Sequence, residues 1–382
     1  MDGSVHIELS RSAYRRNLDF IRELLHPGVQ FSSVVKGNAY GHGIRHIVPM
    51  AEAEGVDHFS VFNGEEALQV HEVSQRPSTI LVMGMLTDEQ LAWAIKHGVE
   101  FFVFDPHRLD RADALARSMN TEALVHVELE TGMNRTGFPP RALPTVVDQI
   151  ERSPNLRFRG LCTHFAGAES IANYYRVQKQ RKAFQRAVRR LAARAFEPEI
   201  YHTACSAASM RYPKTQMDLV RIGILQYGFF PSREVLIDHL TKRKLHEEPL
   251  HRIISWKSRV MSLKLVRKGE FVGYGTSFFA NQDLRIATVP VGYAHGFGRS
   301  LSNQGRVLIR GQFAPVVGIV NMNMCSVDVT SIDGVEQGDE VVLIGRQGDH
   351  EISVSSFGDL SSQVNYELLT RLPIEIPRRV VD

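Results

Sequence analysis

Phe31-Ser32-Ser33-Val34-Val35-Lys36-Gly37-Asn38-Ala39-Tyr40-Gly41-His42-Gly43 is an apolar, β-branched run that ends on a lysine and turns at once into a glycine-rich, amide-bearing loop. A lysine at the mouth of a buried strand is desolvated, so its pKa falls and the neutral amine becomes a nucleophile. That setting suits Schiff-base chemistry with an aldehyde group. Taken alone, a lysine at a strand end marks only a turn. Residues spread along the rest of the chain reverse that reading.

Working outward, the strand-then-helix theme recurs from about residue 31 to 228. Candidate strands are Phe31–Lys36, His58–Phe62, Thr79–Gly84, Glu100–Asp105, Glu122–Glu130, Leu156–Phe165, Glu199–Cys205 and Asp218–Gly228. Amphipathic stretches lie between them, among them Ile44–Glu54, Gly64–Ser74, Asp88–His97 and His107–Met119. Eight strands alternating with helices is the count of a parallel (β/α)8 TIM-like barrel. A doubly wound sheet is the competing α/β architecture, but no Gly-x-Gly-x-x-Gly follows the first strand. After Pro231 the texture changes. A polar connector, Asp238 to Pro249, leads to short alternating segments: Trp256–Val266, Arg285–Val291, Arg306–Ile309, Ala314–Val320, Ser326–Val329 and Glu340–Ile344. These predict a C-terminal mostly-β domain. The expected division is a barrel over 11–235 and a β-domain over 236–382.

The 45 basic and 42 acidic side chains leave a net charge of +3, so nothing global favours nucleic acid or a membrane surface. The basic stretch Arg176 to Arg194 carries Phe184, Val188 and Leu191 at helical spacing and reads as the wet face of an amphipathic helix. Cys162, Cys205 and Cys325 are far apart, as free thiols in a reducing compartment would be. Met1-Asp2-Gly3-Ser4 opens no basic-then-apolar signal segment, and no apolar run approaches the length of a membrane span. The expectation is a cytoplasmic protein with neither nucleic acid nor membrane as partner.

In a barrel of this kind, chemistry gathers at the C-terminal ends of strands. Lys36 ends the first candidate strand. Glu128 and Arg135 flank the segment after the fifth, His164 ends the sixth, Ser206 follows the seventh, and Arg221 lies in the eighth. Singly these are a core histidine, a helix-capping serine and salt-bridged arginines. As a set they point to a site.

Several motifs in order now resemble those of alanine racemases over essentially the whole chain. They are the lysine loop, Thr131-Gly132-Met133-Asn134-Arg135-Thr136-Gly137-Phe138, Thr163-His164-Phe165-Ala166, His202 to Ser206 and Arg221-Ile222-Gly223-Ile224. Gly273-Tyr274-Gly275-Thr276, Val291-Gly292-Tyr293-Ala294-His295-Gly296 and Asn365-Tyr366-Glu367-Leu368-Leu369-Thr370 follow. The resemblance implies pyridoxal 5′-phosphate (PLP) carried on Lys36, with His164 against its ring and Arg221 facing its ring nitrogen. Its phosphate would be held by Ser206, Tyr40, Tyr366 and the backbone of Gly223 and Ile224. Arg135 would take the carboxylate of a small amino-acid substrate, with Tyr293 and Met322 on the substrate side. By the same resemblance the opening strand Val5–Leu9 joins the C-terminal domain. The protein is expected to be a homodimer whose sites are shared, Tyr274 reaching the cofactor of the other subunit, and to supply D-alanine for peptidoglycan.

The chemistry of those matches is coherent. Arginine does not give up its proton near neutrality, so Arg221 would leave the ring nitrogen unprotonated and the electron sink weak. A poorly delocalised carbanion then needs a prompt proton on either face, from Lys36 on one side and Tyr274 on the other. A phenol with an ordinary pKa of about 10 needs help to act as a base, and His164 and Arg221 are the residues placed to give it.

Three positions depart from the family pattern. Glu128 stands where many members carry a carbamylated lysine, and is expected to hydrogen-bond or ion-pair with Arg135. Ile319 and Asn323, in Val317-Gly318-Ile319-Val320-Asn321-Met322-Asn323, replace an arginine and an aspartate, which points to a substrate range reaching serine or other amino acids. Two other readings stand beside the racemase: a PLP decarboxylase of similar architecture and a non-catalytic PLP-binding homeostasis protein. The Gly-Tyr-Gly context and the whole C-terminal segment count against them.

Overall fold

The computed structural model of the chain describes residues 3–361 and 365–382. The chain divides into two compact units, one of residues 13–39 and 47–251, the other of the N-terminal residues through Ser12, 40–46 and 252–382. Strand β1 (His6–Ser10) belongs to the second.

The first unit is a barrel of eight parallel strands: β2 (Gln30–Val34), β3 (His58–Val61), β4 (Thr79–Val82), β5 (Glu100–Val103), β6 (Ala123–Glu128), β7 (Leu156–Cys162), β8 (Ile200–His202) and β9 (Leu219–Ile222). They pair in chain order, β9 returning to β2. β8 and β9 close the barrel through the parallel bridge of Cys205 with Arg221, the Arg221 N–H on Ala204 O at 2.9 Å and the Asp218 N–H on Tyr201 O at 3.1 Å. Strands covered by helices outside and side chains inside are buried along their length, as β3 and β5 are. The intervening helices start where the chain offers caps. Asn63 accepts from the Glu66 N–H, Thr87 and Gln90 form a reciprocal capping box, and Asp105 precedes Pro106 at the first helical position. The basic stretch is the helix Tyr174–Ala192, with Val177, Phe184, Ala187 and Leu191 on its buried side.

The second unit carries β10 (Ile254–Arg259), β11 (Ser262–Val266), β12 (Leu284–Val289), β13 (Arg306–Ile309), β14 (Gln312–Pro315), β15 (Cys325–Asp328), β16 (Glu340–Gln347), β17 (His350–Ile352) and β18 (Arg378–Val381). One sheet runs β14-β13-β16-β10-β1-β18 with β17 beside β16, and another runs β11-β12-β15. The opening strand therefore sits between β10 and β18. Two sequence expectations are corrected. Trp256–Val266 is not one strand, because the Val260 N–H bonds to Asp339 O and the Met261 N–H to Thr288 O, so the chain changes sheets there. The connector is helical in its first half, through the helix Arg233–Arg243, which begins on the Ser232 cap. All three cysteines are free. Among the described residues no helix is long and apolar enough to cross a membrane.

Candidate active site

The segment after β2 is not an open loop. Gly37, Asn38, Ala39 and Tyr40 all have positive φ, at 62°, 51°, 54° and 53°, and make one left-handed helical turn closed by the Ala39 N–H on Val35 O at 2.6 Å. Three of these residues have a Cβ, at roughly 1–2 kcal/mol each, so the turn persists only because its surroundings hold it. Glu66 is the clamp. Its carboxylate accepts the N–H groups of Gly37 (2.6 Å), Asn38 (3.3 Å) and Phe62 (2.9 Å). Strain of this kind at the end of a barrel strand aims Lys36 and fixes the backbone behind it.

Lys36 is solvent-open yet walled by protein. Burial, then the positive field of Arg135, pulls its ammonium below the ordinary lysine range, with Glu66 acting the other way. His164, at the end of β7, is held down to about 3 by burial and then by Arg221, Arg135 and Lys36, so it is neutral at physiological pH. Arg221 donates to Thr163 O at 2.9 Å and to Nδ1 of His202. Ser206 opens the short helix Ser206–Arg211, and its Oγ accepts the Gly223 N–H at 3.1 Å, which joins the two stretches on either side of β9. Ile224 begins the next turn. Lys36, Arg135, His164, Ser206, Arg221, Gly223 and Ile224 thus all lie at the C-terminal ends of the barrel strands.

The loop carrying Arg135 is shaped by Glu130, whose carboxylate takes the N–H groups of Gly132 and of Asn134 (2.6 Å). Gln180 ties this loop to the next, donating to Thr131 Oγ1 and His164 O and accepting from the Ala166 N–H. Glu128, Arg135, Thr136, Thr163 and His164 line one recess. The expected Glu128–Arg135 ion pair is absent. Burial pushes the Glu128 carboxyl up, a hydrogen bond with Thr136 opposes the rise, and the charges of Arg221 and Arg135 act only from a distance. The glutamate side chain is shorter than a carbamylated lysine, and its hydrogen bond goes to the threonine.

The remaining candidates lie in the second unit. Tyr274 sits between two left-handed glycines, Gly273 (φ 76°) and Gly275 (φ 66°), and is 72% exposed. Tyr293 and Met322 are brought together by the Tyr293 N–H on Asn321 O (3.0 Å) and the Ala294 N–H on Met322 O (2.9 Å). Ile319 is half-buried and Asn323 exposed. Tyr40 ends the left-handed turn and is half-buried. The side chain of Tyr366 lies outside the described residues.

Sequence reading missed Glu66, Gln180 and the polar lumen of the barrel. Glu66 was detectable as the third residue after a capping asparagine. Gln180 was hidden inside a basic helix. Among the described residues no cluster of three or more His, Cys, Asp or Glu is placed to hold a metal.

Comparison with known proteins shows the family and the fold. The alanine racemase N-terminal domain matches residues 9–231 and the alanine racemase C-terminal domain residues 253–380. Alanine racemase 1 of Caldanaerobacter subterraneus subsp. tengcongensis is 34% identical over 375 residues, 97% of this chain and 93% of the relative. The alanine racemase of Syntrophobacter fumaroxidans is 36% identical over 363 residues, 95% and 93% of the two chains. The solved alanine racemase of Clostridium difficile superposes with a TM-score of 0.91 at 28% identity, covering all of this chain and 96% of the other. That of Bacillus anthracis with bound L-Ala-P gives 0.89 at 30% identity with the same coverage. In sequence and in fold, over nearly its whole length, the chain belongs to the alanine racemase family of isomerases.

Proposed function

We propose that the protein interconverts L- and D-alanine with PLP as cofactor, by a two-base mechanism, in a cytoplasmic homodimer that supplies D-alanine for peptidoglycan. One observation carries the reading: a lysine with a depressed ammonium stands at the mouth of the barrel beside two arginines and a neutral histidine. The donor set fits the cofactor. Lys36 Nζ would be the amine for its aldehyde, Ser206 with the Gly223 and Ile224 backbone and Tyr40 would hold the phosphate, and Arg221 would be a fixed cation for the ring nitrogen; Tyr366 is the further phosphate partner that the family resemblance implies. Bound PLP supplies covalent capture of the substrate amine and the electron sink that loosens the Cα proton.

The chain's own groups do the rest. Arg135 Nη atoms bind the substrate carboxylate. His164 presents an uncharged ring to the cofactor face. Lys36 Nζ holds or returns a proton on one face of Cα, and Tyr274 Oη of the partner subunit does so on the other. The exposure of Tyr274 in one chain leaves it open to a second. Tyr293 and Met322 flank the substrate, and with Ile319 and Asn323 in the same loop system the pocket admits serine as well as alanine.

Purified protein is expected to be yellow, with a visible band that Lys36→Ala abolishes; a band that survives the substitution overturns the reading. Exchange of the Cα hydrogen for deuterium, with loss of optical rotation and no CO2 release, separates racemase from decarboxylase. No exchange across a panel of amino acids would leave a PLP-binding homeostasis protein.

A further inference from the structure

The lumen of a TIM barrel is ordinarily filled with layers of branched apolar side chains. Here a file of polar groups crosses it. Nδ1 of His202 (β8) receives Arg221 Nη1, Nε2 of His202 lies 2.8 Å from Nδ1 of His126 (β6), and Nε2 of His126 lies 2.8 Å from Glu100 Oε2 (β5). Glu100 is the first residue of its strand, while Arg221 stands near the end of β9. β6 and β8 are not neighbours, so their contact passes through the lumen. All four side chains are buried, and Phe102 packs beside both imidazoles with the Arg221 guanidinium over its ring.

Chemistry orders the protons in this file. Arginine only donates, so His202 Nδ1 is the acceptor and its proton is on Nε2. His126 Nδ1 must then accept, which puts its proton on Nε2, aimed at the carboxylate. Burial, opposed at His126 by the Glu100 hydrogen bond and reinforced at His202 by Arg221, lowers both imidazoles and keeps them neutral. Burial alone would raise the Glu100 carboxyl; the His126 and His58 imidazoles outweigh it and hold it below the usual carboxylate range, and Arg159 Nε donates to its other oxygen at 2.6 Å.

The backbone makes room for the contact. The pairing of β6 with β7 slips by one residue, so that Val125 faces Phe158 while His126 faces Gly160, and the skipped residue is Arg159. A Cβ on Gly160 would lie 2.2 Å from His126 Nδ1. The bulge thus serves both the arginine that pairs with Glu100 and the space the imidazole pair occupies.

We propose that Glu100 and His126 are positioning residues that hold Arg221 through His202, a file in which every imidazole proton points toward the Glu100 carboxylate. This rests on the reading of Arg221 as the partner of the cofactor's ring nitrogen. Fixed from behind, the guanidinium keeps one orientation, and its charge is balanced by a carboxylate too remote to compete for the cofactor.

The test uses the full chain. Nitrogen-15 spectra of the cofactor-free protein are expected to show pyridine-type Nδ1 and pyrrole-type Nε2 for both His202 and His126. Gly160→Ala leaves every titratable group in place but intrudes on the imidazole pair, and Glu100→Gln removes the terminal charge together with one of the two oxygens that accept from His126 and Arg159. In PLP-loaded protein both are expected to shift the visible band and lower kcat about tenfold, with KM for alanine within about twofold, because Arg221 does not bind the carboxylate. A merely structural role would lower thermal stability and leave band and kcat unmoved. If Gly160→Ala does not fold, Glu100→Gln and the wild-type spectra decide. A proton on His202 Nδ1 in the wild type, or folded variants with unchanged band and kcat, overturns the proposal. Failure of wild-type protein to take up PLP, with the nitrogen pattern intact, overturns it through the cofactor reading instead.

Discussion

Glu128 brings a carboxylate to a place where a carbamate would otherwise have to be assembled from a lysine and CO2. Activity is therefore expected to be indifferent to added bicarbonate. Because its influence on Arg135 acts through space, Glu128→Gln is expected to raise KM for alanine threefold to tenfold, the scale of a charge interaction of about 1 kcal/mol, with little change in denaturation midpoint. Unchanged steady-state kinetics would remove Glu128 from the site. His164 gives a pH prediction. Its folded pKa of about 3 lies below the unfolded 6.5, so its contribution to stability is complete above pH 6.5 and is lost as pH falls toward 3. Urea midpoints measured from pH 7 to 4.5 are expected to fall in the wild type and to fall less in His164→Gln. An equal fall in both would mean that the ring is not held neutral.

Among the elements, the left-handed turn decides most. Gly41, immediately after it, has φ 82°, and a Cβ there would lie 1.8 Å from Leu369 O, while Arg378 Nη2 donates to Gly41 O at 3.0 Å. Gly41→Ala combines a left-handed conformation with a backbone collision, and is expected to cost about 2–4 kcal/mol in chemical denaturation. A loss below about 1 kcal/mol would show that the segment relaxes freely. The sequence announced a glycine-rich loop here, and the glycines did mark backbone approach. The handedness was not legible, because only Asn38 of the three non-glycine residues tolerates it readily and Ala39 and Tyr40 do not favour it; Glu66, some thirty residues on, imposes it. The break between β10 and β11 was hidden for a similar reason. The apolar alternation continues through Val260 and Met261, and only partners distant in sequence show that the hydrogen bonds change sheets.

At the scale of the molecule, Tyr274 shares the second unit with exposed Phe271, Phe279 and Met322, and the first two pack against each other as apolar surface of the kind that marks an interface. Under the proposed dimer, Lys36→Ala and Tyr274→Phe proteins mixed and allowed to exchange subunits should recover about a quarter of wild-type activity. Half the dimers are then mixed, and each mixed dimer has one intact site. No recovery after verified exchange would place both bases in one chain.

What the sequence determined by itself was the periodic part of this protein: eight strand-and-helix units, a change of texture after Pro231, and a series of motifs at strand ends, because hydrophobic period and local turn chemistry are written in neighbouring residues. The tertiary structure alone decided what depends on residues far apart. Closure of the barrel set His58, Glu100, His126 and His202 into one lumen, although each reads locally as a polar interruption of an apolar strand. It also kept Glu128 away from an ion pair with Arg135, since reach is a matter of geometry and the order of residues does not state it.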